Sequence, residues 1–156
     1  MKLIENTFKA LPDTPPVLAE EMLFLAERLK GILTEMCGPP IPPGSANFQG
    51  PPKSPQRLRR TRDELKADYQ QIWKNTTVIY EHHTYGASAR HSTNTIVFGE
   101  FFLKTEIETL TLKKVLMHEF LHLAVDMPRA MHHGQINKII RHHLGYHGDP
   151  NPLGTD

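Results

Sequence analysis

One run of residues constrains this chain more than any other. Leu110 to Val125 is helical in pattern, and Leu112, Val115, Leu116, Phe120 and Leu123 place apolar side chains on more than one side of it. A helix of that kind has to be covered from several directions, so it belongs at the centre of the fold with the other elements around it. Pro128 is expected to end it. Embedded in this run is His118-Glu119-Phe120-Leu121-His122.

The spacing of that motif has a chemical meaning. Four residues turn a helix by about 40° beyond one full turn, so the imidazoles of His118 and His122 leave the same face and can bind one ion. Glu119 lies about 100° round, beside the ion, where its carboxylate can take a proton from a metal-bound water. This is the physical content of the His-Glu-x-x-His pattern. The expected ion is Zn2+, the expected ligands are His118 and His122, and the expected general base is Glu119.

The remaining elements follow from periodicity and punctuation. Residues 16–37 form an amphipathic helix, with Leu18, Met22, Leu25, Leu29, Ile32 and Met36 at three- and four-residue steps. Pro15 and Pro16 suit its start, and Gly38-Pro39-Pro40 forces its stop. Residues 38–55 are rich in proline and glycine and read as a linker or a crossing arm. A second helix is expected over Thr61–Lys74, with Thr61 and Glu64 as a capping box and Leu65, Tyr69, Ile72 and Trp73 as its apolar side. Thr77–Tyr80 and Asn94–Phe98 are strand candidates, the second extending back toward Ala89, with Gly86 marking a turn. A last helix is expected over Gly134–Leu144, stopped by Gly145. Residues 1–15 read as irregular.

The order α-α-β-β-α-α predicts an α+β fold: a short antiparallel sheet packed on the active-site helix and a backing helix, preceded by an N-terminal helix and a Pro-rich arm. Two segments are expected, 1–55 for the N-terminal helix and arm and 56–156 for the catalytic domain. The 156 residues suffice for one real core. The formal net charge of +1 gives no overall pull toward nucleic acid or a membrane surface. A single cysteine, Cys37, rules out an intrachain disulfide and a four-cysteine zinc ribbon. No apolar run approaches the ~20 residues that cross a bilayer, and no secretory leader is apparent, so a cytoplasmic setting is the expectation.

A catalytic zinc needs a third protein ligand and an open position. Many such sites use a downstream Glu, and none follows Glu119 in this chain. A straight helix puts Asp126 about 12 Å along the axis from His118, too far to share a tetrahedral ion; it either orients a ligand imidazole through a hydrogen bond or is a plain helix-terminal carboxylate. His132, His133, His142, His143, His147 and Asp149 remain. His133 is favoured: the turn at 127–131 folds the chain back, and Gly134 lets the next helix approach the motif helix closely. His132 is the alternative, since adjacent residues point about 100° apart and only one should ligate.

His118-Glu119-Phe120-Leu121-His122, a short turn, then His133-Gly134-Gln135-Ile136-Asn137 resembles the SprT-like metallopeptidases and the related minigluzincins, built on the zincin pattern. The similarity covers roughly residues 61–145, including the apolar strand Thr95–Phe98 ahead of the motif helix. The resemblance implies a zinc metalloendopeptidase with His133 as third ligand and a peptide or protein as substrate. Members of that family resemble proteases that act on DNA-bound proteins. Asn137 stands where the family pattern has an aromatic.

In the expected mechanism the substrate backbone pairs with an exposed strand edge around Asn94–Phe98, and Tyr146, Arg141 or His147 stabilises the oxyanion, with Tyr146 the first choice. The alternative function is a non-catalytic, zinc-stabilised module that binds DNA or protein, or a peptidase kept latent by its N-terminal segment. Lys53, Arg57, Arg59, Arg60 and Arg62 are either a phosphate contact or a solvated helix lead-in. Cys37 is either an ordinary thiol or a ligand that blocks the zinc. His82-His83 and His142-His143 are either second metal sites or surface pairs.

Overall fold

Two β-branched runs set the sheet. The computed structural model describes residues 1–40, 65–126 and 132–144. Thr77–Tyr80 forms β2, with Val78 and Tyr80 buried. Thr95–Phe98 forms β4 and is buried at all four positions, as a strand covered on both faces must be. The two run parallel, Val78 opposite Ile96.

The stretch before β4 is not its extension. Ala87–Arg90 is a separate strand, β3, antiparallel to β4 and joined to it through the turn at His91–Asn94. Asn94 carries the reversal at φ 47°, ψ 51°, a left-handed conformation that asparagine tolerates. Lys2–Leu3 adds a short parallel strand, β1, beside β2. The sheet order is therefore β1-β2-β4-β3, and only β3–β4 is antiparallel. The expected antiparallel sheet is thus mixed, because β1 comes from residues that read as irregular and because β3 is inserted between the two parallel strands in sequence. Asn94–Phe98 offers no open edge, since β4 is paired on both sides, whereas β3 is an edge strand among the described residues.

A close backbone approach starts β3. Gly99 donates its N–H to the Gly86 carbonyl at 2.9 Å, and Glu100 donates to Thr84 at 2.7 Å. A Cβ on Gly99 would lie 2.2 Å from the Thr84 carbonyl oxygen. Backbone cannot yield as a flexible side chain does. Gly99→Ala is expected to cost about 3 kcal/mol, at the upper end of overpacking effects, and a denaturation midpoint equal to that of the parent would refute it.

Four α-helices surround the sheet among the described residues. Helix α1, Pro16–Met36, starts on proline as expected and ends with Cys37 at φ 58°. Helix α2, Tyr69–Asn75, is shorter than the expected Thr61–Lys74. Thr61 and Glu64 lie outside the described residues. Leu65 and Lys66 are not helical because their backbone serves another element: Leu65 bridges Val125, and Lys66 donates to the Ala124 carbonyl at 2.8 Å.

Helix α3, Thr109–Ala124, is the motif helix and is buried almost throughout its second half. It ends at Ala124, because Val125 turns extended to meet Leu65, and not at Pro128, which lies outside the described residues. Trp73 of α2 packs edge-on against Phe120 of α3 at 5.0 Å, and Tyr69 packs partly buried beside the core, as their spacing implied. Helix α4, His132–Leu144, begins two residues earlier than expected and buries Ile136, Ile139 and Ile140. It packs on α3.

Residues 1–36 do not form a core of their own. Leu3, Phe8, Met22, Leu25, Leu29 and Ile32 join Val115, Leu116 and Phe120 in one apolar cluster. Lys113 of α3 pairs with Glu35 of α1 at 3.1 Å, and Arg28 donates to the Ile107 carbonyl. No described helix is long and apolar enough to cross a membrane.

Candidate metal centre

Helix α3 presents His118 and His122 one turn apart, and α4 returns along it to bring His133 to the same point. Their imidazole centroids lie 4.8 Å apart for His118 and His122, 5.4 Å for His118 and His133, and 5.1 Å for His122 and His133. One ring nitrogen from each falls within 4.8 Å of the other two. The Nε2 atoms of His118 and His122 are 3.1 Å apart. Two nitrogens at about 2.0–2.1 Å from a tetrahedral zinc sit about 3.4 Å from one another, so the pair is already near ligand separation. The three histidines lie close enough to bind one metal ion.

Burial grades across the cluster. His118 is 0% exposed and His122 7% exposed, while His133 faces solvent. An ion here would have protein behind it and an approach from the His133 side. Glu119 is 1% exposed and sits on the same helical turn. His133→Ala should lower the affinity for a divalent metal ion by more than about a hundredfold, since loss of a group that only hydrogen-bonds a ligand already costs about 10–100-fold. Competition against a chromogenic chelator measures this, and an unchanged constant would remove His133 from the ligand set.

Among the described candidates, Asp126, His142 and His143 do not join this group. The imidazole of His132 is not among the described side chains, and Tyr146, His147 and Asp149 lie outside the described residues, as do the basic residues of 53–62. Arg141 is exposed on α4. Asp126 is exposed, past the end of α3. A close approach of Gly134 is not what admits His133: a Cβ there would meet nothing within 4 Å. Apolar packing of Ile136, Ile139 and Ile140 seats α4 instead.

His82 pairs with Glu100 at 3.0 Å and lies 3.2 Å from the Tyr80 hydroxyl. Burial, with Glu100 and Glu21 nearby, pushes that hydroxyl up to about 12. His142 is buried, and burial together with Lys113 pushes His143 below the ordinary imidazole value. Among the described residues, neither histidine pair joins a group of three ligands. The Cys37 thiol is exposed and donates to the Thr34 carbonyl of its own helix at 3.1 Å.

One residue near the site was not singled out from sequence. The last turn of α3 leaves carbonyls without helical partners. Val125 N–H takes that of Leu121 at 2.9 Å, and Lys66 takes that of Ala124. The carbonyl of His122 is taken by the Nε2 of His91, at 2.9 Å. In the sequence His91 falls within the extension of the Asn94–Phe98 candidate toward Ala89, which does not say what the ring would reach.

Comparison of the chain with protein-family models, with curated proteins and with solved structures found no match in any of the three.

Proposed function

We propose that this protein is a zinc-dependent metallopeptidase of the SprT-like, zincin type, cleaving peptide bonds in protein or peptide substrates. The observation that carries the reading is the convergence of His118, His122 and His133 with a buried carboxylate, Glu119, on the same turn. A purely structural zinc site closes its fourth position with another protein ligand and has no use for an adjacent base. Among the described residues, this group holds three ligands.

A zinc ion held by these imidazoles supplies Lewis acidity and lowers the pKa of a water toward ~7. Glu119 then accepts the proton released from the attacking water and delivers it to the departing amine nitrogen. His118 and His122, fixed on a buried helix, hold their geometry without rearrangement. The substrate backbone pairs with β3, Ala87–Arg90, which is an edge strand among the described residues and packs against α3.

The test is metal analysis of the full chain followed by digestion of denatured casein, with and without a chelator. One zinc per chain with chelator-sensitive cleavage is the expected result. Zinc without cleavage would move the protein to a non-catalytic, metal-stabilised binding module, and a chain that takes up no zinc would end both readings.

A further inference from the structure

We propose that His91 is a positioning residue that sets the height of the edge strand against the metal-bearing helix. Strand β3 ends at Arg90, and His91 follows at once. Its Nε2–H donates to the carbonyl of His122, whose own ring belongs to the metal cluster. A carbonyl accepts only, so the ring nitrogen must carry the hydrogen. This bond joins the first residue of the β3–β4 turn directly to the helix turn that carries His122. The start of β3 is fixed by the Gly99–Gly86 bond, and Glu81 grips Arg90 at 2.6 Å. Neither of those contacts reaches α3. His91 does.

The consequence is specific. Leu121, Leu123 and Ala124 are buried around His122, so the helix keeps its place without this bond. Among the described residues, β3 is paired on one side only, so its far end is what loosens. His91 therefore governs the placement of a backbone docked on β3 more than it governs the metal. The kinetic part of this inference rests on the peptidase reading, while the strand part does not.

The experiment compares His91→Ala, His91→Phe and His91→Gln in the full chain, loaded with zinc. Three quantities are read: amide hydrogen exchange over residues 87–90, zinc affinity by chelator competition, and KM and kcat on denatured casein. Loss of one hydrogen bond is expected to speed exchange of 87–90 about three- to tenfold and raise KM by a similar factor in the Ala and Phe variants. Zinc affinity and kcat should stay within about twofold. Gln, whose amide N–H reaches about as far as Nε2, should restore both exchange and KM. Unchanged exchange in His91→Ala overturns the proposal. So does a tenfold loss of zinc affinity with exchange unaltered, which would make His91 a support of the ligand alone, and so does a Gln variant no better than Phe. If the parent binds zinc but leaves casein uncut, the peptidase reading falls, and exchange at 87–90 still decides the role of His91.

Discussion

Glu119→Gln is expected to lower peptide hydrolysis by about 10²–10⁴-fold while one zinc per chain remains bound. The expected loss is that large because the substitution removes only the basic oxygen. The two side chains have nearly the same shape, so the buried position at 1% exposure is refilled without a cavity. The three imidazoles sit on other residues and keep their geometry. What disappears is the capacity to take a proton from the attacking water and return it to the amine. Zinc content by atomic emission and casein cleavage by gel follow the two effects separately. Parental activity in this variant would sink the mechanism. Loss of zinc would show instead that Glu119 supports the site rather than acting in it.

Deletion of the N-terminal segment is expected to abolish folding. A chain beginning near Ser54 lacks Phe8, Met22, Leu25, Leu29 and Ile32, each 6% exposed or less. At about 1.5–3 kcal/mol for each large apolar side chain buried, their joint contribution is about 10 kcal/mol, as large as the whole stability of an ordinary domain. The partners left behind, Val115, Leu116 and Phe120 on the motif helix, would face water. The truncated chain should show no cooperative thermal transition and should bind a hydrophobic dye strongly. A sharp transition within a few degrees of the full chain would refute this. Truncation is consequently a poor way to ask whether the N-terminal segment restrains the site. Substituting Cys37 in the full chain asks it without removing core.

How much was legible in the sequence varied with the range of the interaction. Helix α1 was legible to within a residue because its apolar positions repeat locally and proline marks both flanks. Helix α3 and the juxtaposed imidazoles of His118 and His122 were legible for the same reason, since four-residue spacing on one helix needs no tertiary information. The start of α2 was not legible. The capping signal at Thr61 and Glu64 was local, whereas Leu65 and Lys66 are held by α3 some sixty residues away. The sheet was half legible: β2 and β4 are rich in β-branched residues, but β3, Ala-Ser-Ala-Arg, alternates only small and polar residues and holds no β-branched or aromatic one.

The His118-Glu119-Phe120-Leu121-His122 helix, its central burial and the one-sided pair of imidazoles were determined by the sequence alone, because all three follow from helical geometry within five to sixteen residues. The tertiary structure decided what depends on return of the chain. It brought His133 rather than a residue of the 142–143 pair to the cluster through the packing of Ile136, Ile139 and Ile140 against α3. It made β3, not β4, the edge beside the site, and it placed His91 on the carbonyl of His122. No local rule carries such contacts, since each is fixed by which apolar faces meet and which backbone groups remain to be paired once they have met.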